Sequence, residues 1–196
     1  MLLTWAMKPL PKVLLALTAV AALSFAYPAK ANLITNGGFE TGDLTGWNHT
    51  GEYFVGGTTD GISPHSGNYQ GFDSGGDFSG AISQGITTTP GTAYTINFYL
   101  AASQSQGLGG TVILSWGGNT VFNHLFTSAF GYTEYTFNVT ATNASTFLLF
   151  DFEGSERFFL DDVSVNLATV PDAGSTVSLL GCALLGLAAL RRKLGC

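Results

Sequence analysis

The chain has 196 residues, of which 45% are hydrophobic and only 10% charged, and its formal net charge is −6. Residues 32–169 hold twelve acidic side chains against the single base Arg157, a net of −11, so this part repels anionic polymers; that argues against a nucleic-acid partner and leaves neutral ligands and cations open. Both cysteines, Cys182 and Cys196, fall outside it, so core packing rather than disulfides must stabilise it.

At the start, Lys8 and Lys12 precede an apolar run over 13–25, and Ala29-Lys30-Ala31 follows as a small-x-small cleavage pattern. This order predicts a secretory signal peptide over 1–31, helical in its apolar part, with Asn32 as the mature N-terminus. Residues 32–169 then form one domain, long enough to bury a core.

That domain is rich in Gly, Thr and aromatics and shows no sustained helical period. Strands separated by Gly-containing turns are expected. Short ones are placed near Leu33, Trp47, Tyr53, Tyr69 and Ile82. Tyr94, Ile96, Phe98 and Leu100 alternate with Thr95, Asn97 and Tyr99, the pattern of a half-buried strand. Residues 112–116 and 120–126, separated by Gly117-Gly118-Asn119, predict a hairpin. Residues 135–139, 147–152 and 158–165 complete eight to ten strands, which predicts an all-β domain of two stacked antiparallel sheets.

The ends of the domain carry a pattern of their own: Asn36-Gly37-Gly38-Phe39-Glu40-Thr41-Gly42-Asp43 with Trp47, then Pro64-His65-Ser66-Gly67-Asn68-Tyr69, and finally Phe159-Leu160-Asp161-Asp162-Val163-Ser164-Val165. Period two from Val163 and Val165 puts Asp161 on the inward face of the last strand. A buried carboxylate needs a cation or several donors. With Glu40 as partner and loop carbonyls beside it, the donor set suits calcium; the alternative is that Asp161 caps backbone amides while Glu40 and Asp162 are solvated. The three motifs together resemble the galactose-binding-like jelly roll of many carbohydrate-binding modules, over most of residues 32–166. The resemblance implies a structural calcium held by Glu40, by Asp161 and Asp162 of the last strand, and by backbone oxygen near Ser66.

Sugar rings stack on aromatic side chains while a few polar groups bond their hydroxyls. Trp47, Tyr53, Tyr69, Tyr99, Trp116 and Tyr132 are the available platforms. Trp47 is expected in the core; Trp116 beside its glycine turn and Tyr99 on the polar side of its strand are expected exposed, and with Tyr53 they form the candidate ligand-binding set. Catalysis has little support. His49, His65 and His124 lack metal-ligand spacing, His65 reads as a turn residue, and there is no Gly-x-Ser-x-Gly elbow. The sequons at Asn48, Asn138 and Asn143 are read as chance in a Thr-rich chain.

The tail, 170–196, has three parts. Val170-Pro171-Asp172-Ala173-Gly174-Ser175-Thr176 leads into an apolar run over 177–190, which Arg191, Arg192 and Lys193 close. No residue from Ala173 to Leu190 is charged, and eighteen helical residues reach roughly 27 Å, close to the ~30 Å hydrocarbon core of a bilayer. A transmembrane helix is expected, its terminal cations on the cytoplasmic side and the domain outside. The order resembles the PEP-CTERM sorting signal of bacterial surface proteins in its Val-Pro-Asp variant, with Ala173 where that variant more often has Ser. The resemblance implies that an exosortase cuts near the motif and passes an inner-membrane-anchored precursor to the envelope or beyond. The expected function is a non-enzymatic surface or matrix protein binding glycan or exopolysaccharide; a purely structural, adhesive protein and a glycan hydrolase are the alternatives.

Overall fold

The computed structural model describes residues 31–75, 80–103 and 109–168, together with positions 181 and 191, both helical. The chain divides into two units, Met1–Ala31 and Asn32–Cys196, and the strands belong to the second. The expected signal peptide over 1–31, the 170–176 motif and the expected span over 177–190 lie outside the described residues, apart from Ala31 and Gly181. Among the described residues no helix is long and apolar enough to cross a membrane.

Ten strands are described: β1 (Asn48–Gly51), β2 (Tyr53–Gly56), β3 (Gln70–Asp73), β4 (Gly80–Thr87), β5 (Ala93–Ser103), β6 (Gly110–Trp116), β7 (Asn119–Phe126), β8 (Phe130–Thr140), β9 (Ser145–Gly154) and β10 (Arg157–Leu167). They form two five-stranded antiparallel sheets, ordered β1-β4-β9-β6-β7 and β2-β3-β10-β5-β8. This is the jelly-roll-like sandwich that the alternating sequence predicts.

The pleat sorts the side chains. In β5, Tyr94, Ile96, Phe98 and Leu100 are buried while Thr95, Asn97 and Tyr99 are half-exposed, and in β9 Leu148, Phe150 and Phe152 point inward. Phe98 meets Phe150 across the two layers edge to face, with centroids 5.0 Å apart, a favoured aromatic geometry. The buried cluster runs from Ile34 to Val165, so residues 32–168 close a hydrophobic core from their own side chains.

Two expectations are corrected. Residues 31–47 form turns, not a strand near Leu33; Asn32 and Leu33 are nonetheless pinned to β10, Leu33 N–H donating to Val165 O (2.9 Å) and Asn32 Oδ1 accepting from Val165 N–H (3.0 Å). Asp161 does not share the inward face of Val163 and Val165. Asp161 stands opposite Tyr99 but Ser164 opposite Asn97, so a β-bulge inserts one residue between them. Asp162, at φ 50°, provides that irregularity. The slip leaves Val163 and Val165 in the core and turns Asp161 to the outer face of the second sheet, beside Tyr99.

That outer face is roofed by the segment 57–69. Buried Gln70 donates its amide to Gly57 O and Ile62 O, both at 2.9 Å, and accepts a hydrogen bond from Tyr132 O–H. At the other end Arg157 pairs with Asp60 (2.5 Å), donates to Ser74 O and lies over the Phe72 ring. The domain's single base therefore serves to fasten a loop.

Candidate functional site

One cluster gathers where the opening turn, the roof and the β10 bulge meet. Asn36 and Phe39 take left-handed backbone conformations, φ 53° and 57°. The Asn36 amide holds the turn by donating to Thr41 Oγ1 (2.7 Å), Asp43 O and Thr45 O. Hydrogen bonds from Thr45 and Thr41 keep the Asp43 carboxyl below its usual range. The shape of the turn delivers Glu40 to the roof, where its carboxylate accepts the N–H groups of Asn68 and Tyr69 at 2.9 Å.

Asp161 is fully buried. Its Oδ2 accepts His65 N–H (2.9 Å) and Ser66 N–H (3.2 Å), and its Oδ1 accepts Asp162 N–H (2.7 Å). Burial pushes its pKa up to about 6, with the neighbouring Asp162 charge acting the same way against the pull of those N–H groups. Asp162 Oδ1 accepts Ser66 O–H and its Oδ2 meets His65 Nδ1, both at 2.7 Å. The His65 ring stacks on Tyr99 with centroids 3.6 Å apart.

Glu40, Ser66, Asp161 and Asp162 therefore border one region of the molecule, and each carboxylate accepts protein donors. Gly38 lies at the centre: a Cβ there would stand 3.3 Å from Asp162 Oδ1, 3.7 Å from Asp161 Oδ1 and 3.8 Å from Glu40 Cγ. Among the described residues no three His, Cys, Asp or Glu side chains form a metal-holding group, so a cation here would need backbone carbonyls alongside the acids. Hard oxygen donors with excess negative charge are the chemistry calcium takes.

The aromatic expectations divide. Tyr99 is half-buried beneath His65. Trp116 is only 4% exposed, donates its indole N–H to Thr140 O and packs on Tyr94; it continues the inward row of Val112 and Leu114, which overrides its position beside the glycine turn. Tyr53 is 3% exposed and stacked on Phe152. Trp116 and Tyr53 are therefore core residues and not open platforms.

An aromatic platform stands elsewhere. Phe147, on β9 of the first sheet, is 58% exposed. It lines an open depression of about 420 Å³ with Ser115, Gly117, Asn143, Ser145 and Leu149. The register places Leu149 between Ser83 and Ser115, and Asp151 between Ala81 and Ile113, so this outer face mixes apolar surface with hydroxyls and carboxylates. Sequence reasoning passed over Phe147, although the inward alternation of Leu148, Phe150 and Phe152 already turns it outward.

Comparison with known proteins bears on both ends of the chain. Residues 169–194 match the VPDSG-CTERM motif, and residues 31–157 match the carbohydrate binding domain family. Among curated proteins none matches. The fold is similar to the solved structure of TmCBM61 in complex with β-1,4-galactotriose (21% identity, 70% of this chain and 99% of that one, TM-score 0.58). It is also similar to the K1 cleaved adhesin domain of Lys-gingipain from Porphyromonas gingivalis W83 (10%, 72% and 98%, TM-score 0.54). A third similar fold is the CBM22-1 xylan-binding domain of Paenibacillus barcinonensis Xyn10C (16%, 74% and 99%, TM-score 0.50). With a match over more than half its length, the chain belongs to the carbohydrate binding domain family of non-catalytic modules, here carried on an exported protein with a C-terminal sorting motif.

Proposed function

We propose that the domain binds an uncharged glycan on the outer face of its first sheet, with Phe147 as the stacking platform. The observation that carries this reading is an aromatic ring 58% exposed on a strand interior to its sheet, lining a depression of about 420 Å³. The C–H face of a sugar ring packs on such a ring, and Ser115, Asn143 and Ser145 offer hydroxyl and amide partners for its hydroxyls. Twelve acids against one base in residues 32–169 disfavour uronate-type polymers. Solved modules of similar fold carry galactotriose or are described as xylan-binding, which supports a polysaccharide as the partner class.

In the same proposal the tail anchors the precursor in the inner membrane through 177–190, with Arg191 and Arg192 on the cytoplasmic side. An exosortase recognises Val170, Pro171, Asp172 and Gly174 and releases the domain to the envelope or the extracellular matrix. Calcium at Glu40, Asp161, Asp162 and backbone oxygen near Ser66 fastens the opening turn to the last strand; it is structural and takes no part in sugar contact.

A glycan array on residues 32–168, with and without EDTA, tests the binding reading. Phe147→Ala is expected to weaken binding about five- to tenfold, the loss of a stacking contact worth on the order of 1–1.5 kcal/mol, with an unchanged melting temperature. Absence of any bound glycan at high concentration selects the structural, adhesive alternative.

A further inference from the structure

The two sides of the sandwich are unlike. On one side the sheets end in β1 and β2, four residues each; on the other they end in β7 and β8, eight and eleven residues long. β7 has no charged residue and β8 has only Glu134, and neither contains proline. Of the twelve acids of the domain, these two strands hold one. Edge strands are ordinarily guarded by Lys, Pro, bulges or shortness, because their free N–H and C=O groups accept another strand. β7 has one such guard, a register shift opposite Leu114 and Ser115. β8 lacks it where it pairs without interruption from Ala93↔Thr140 to Leu100↔Thr133. Tyr135-Thr136-Phe137-Asn138-Val139-Thr140 is an uncharged, strand-favouring run.

We propose that this side is a self-association surface, on which a second copy of the chain pairs its β8 antiparallel to the first and extends the second sheet across the dimer. The partner's chemistry follows from the charges. A cationic protein is drawn to the acids, of which only Glu134 lies on β7 or β8, and an anionic one is repelled by the domain as a whole. An uncharged strand edge suits another uncharged strand edge, and this chain presents one. A two-fold axis through Phe137 keeps the faces matched: Tyr135 stands opposite Val139, Thr136 opposite Asn138 and Phe137 opposite itself, so that half-buried apolar residues of each copy cover those of the other. In that register the two Glu134 side chains lie six residues apart along the ladder, about 20 Å, well beyond the ~8 Å screening length at physiological salt.

Sedimentation equilibrium of residues 32–168 up to millimolar concentration tests this. A monomer–dimer equilibrium is expected, and it strengthens with added NaCl because salt screens the repulsion between two acidic domains. Thr136→Asp with Asn138→Asp places like charges opposite one another across the pair and is expected to weaken dimerisation at least about tenfold. The same charge added at the opposite edge, Asn48→Asp with Thr50→Asp, leaves it unchanged. Hydrogen exchange of the unaltered protein is expected to show slowed β8 amides as concentration rises, a readout that does not depend on the variants folding. A monomer throughout, a dimer indifferent to the β8 aspartates, or protection confined to other strands overturns the proposal.

Discussion

Gly67 is fixed by the carboxylate that lies against it. A Cβ at this position would stand 2.3 Å from the Glu40 carboxyl carbon, and the backbone is at φ 63°, a conformation that costs an L-residue about 1–2 kcal/mol before any contact is counted. Gly67→Ala should therefore combine backbone strain with expulsion of Glu40 from the N–H groups of Asn68 and Tyr69, for a loss of roughly 3 kcal/mol in chemical denaturation. Asp73 supplies a second test. It is 1% exposed and accepts Phe158 N–H (2.6 Å) and Gly75 N–H (3.3 Å). Burial outweighs those bonds and pushes its pKa up from 3.8 to about 6. Because the folded value lies above the unfolded one, the folded state holds this proton more tightly: the stabilisation is complete below about pH 4 and is lost as pH rises to about 6, roughly 3 kcal/mol in all. Asp73→Asn should flatten that part of the stability–pH curve whatever it does to the level; an unchanged slope between pH 4 and 6 would count against the burial argument.

In the β6–β7 hairpin the backbone cost of replacing a glycine stands apart from any side-chain contact. Trp116 pairs with Asn119, leaving Gly117 and Gly118 as a two-residue turn at φ 57° and 84°, the type I′ geometry that suits the twist of a hairpin. A Cβ on Gly118 meets nothing within 4 Å, so Gly118→Ala should cost about 1 kcal/mol, well below Gly67→Ala, when the two melting curves are compared. This hairpin was legible in the sequence because Gly117-Gly118-Asn119 interrupts two apolar runs, and β5 because its alternation is unbroken. The same rule applied to β10 misplaced Asp161. A bulge is a backbone event, and strict period two cannot register the extra residue at Asp162; the one local hint is that Asp tolerates the left-handed region better than most side chains. Trp116 was misplaced for a different reason. Its nearness to a turn points outward, but the parity set by Val112 and Leu114 buries it. At the acid cluster the motifs located Glu40, Ser66, Asp161 and Asp162, but the His65–Tyr99 stack joins residues far apart in the chain, and no short-range pattern announces it.

For the molecule as a whole, the acid cluster and the pinned first residues of the domain perform one mechanical task. Asn32 and Leu33 bond to β10 near Val165, Glu40 bonds to the roof at Asn68 and Tyr69, and Asp161 and Asp162 bond to the roof at His65 and Ser66. The strand nearest the sorting tail is thus tied both to the start of the domain and to the loop that covers its second sheet. The cost is like charge held close together in a domain already at −11, and two remedies are separable by experiment. Screening acts on every acid, so NaCl should raise the melting temperature of residues 32–168 gradually, with no saturation at a fixed stoichiometry. A cation seated among the proposed ligands acts at one place. Calcium chloride at matched ionic strength should add a further rise that grows with the logarithm of the calcium concentration and reaches about 5–10 °C near a hundredfold above the dissociation constant. Glu40→Gln and Asp162→Asn should abolish that increment while leaving the NaCl response intact. If the two salts raise the melting temperature equally at every ionic strength, the cluster works by amide capping alone, and Glu40, Asp161 and Asp162 hold the roof without a metal.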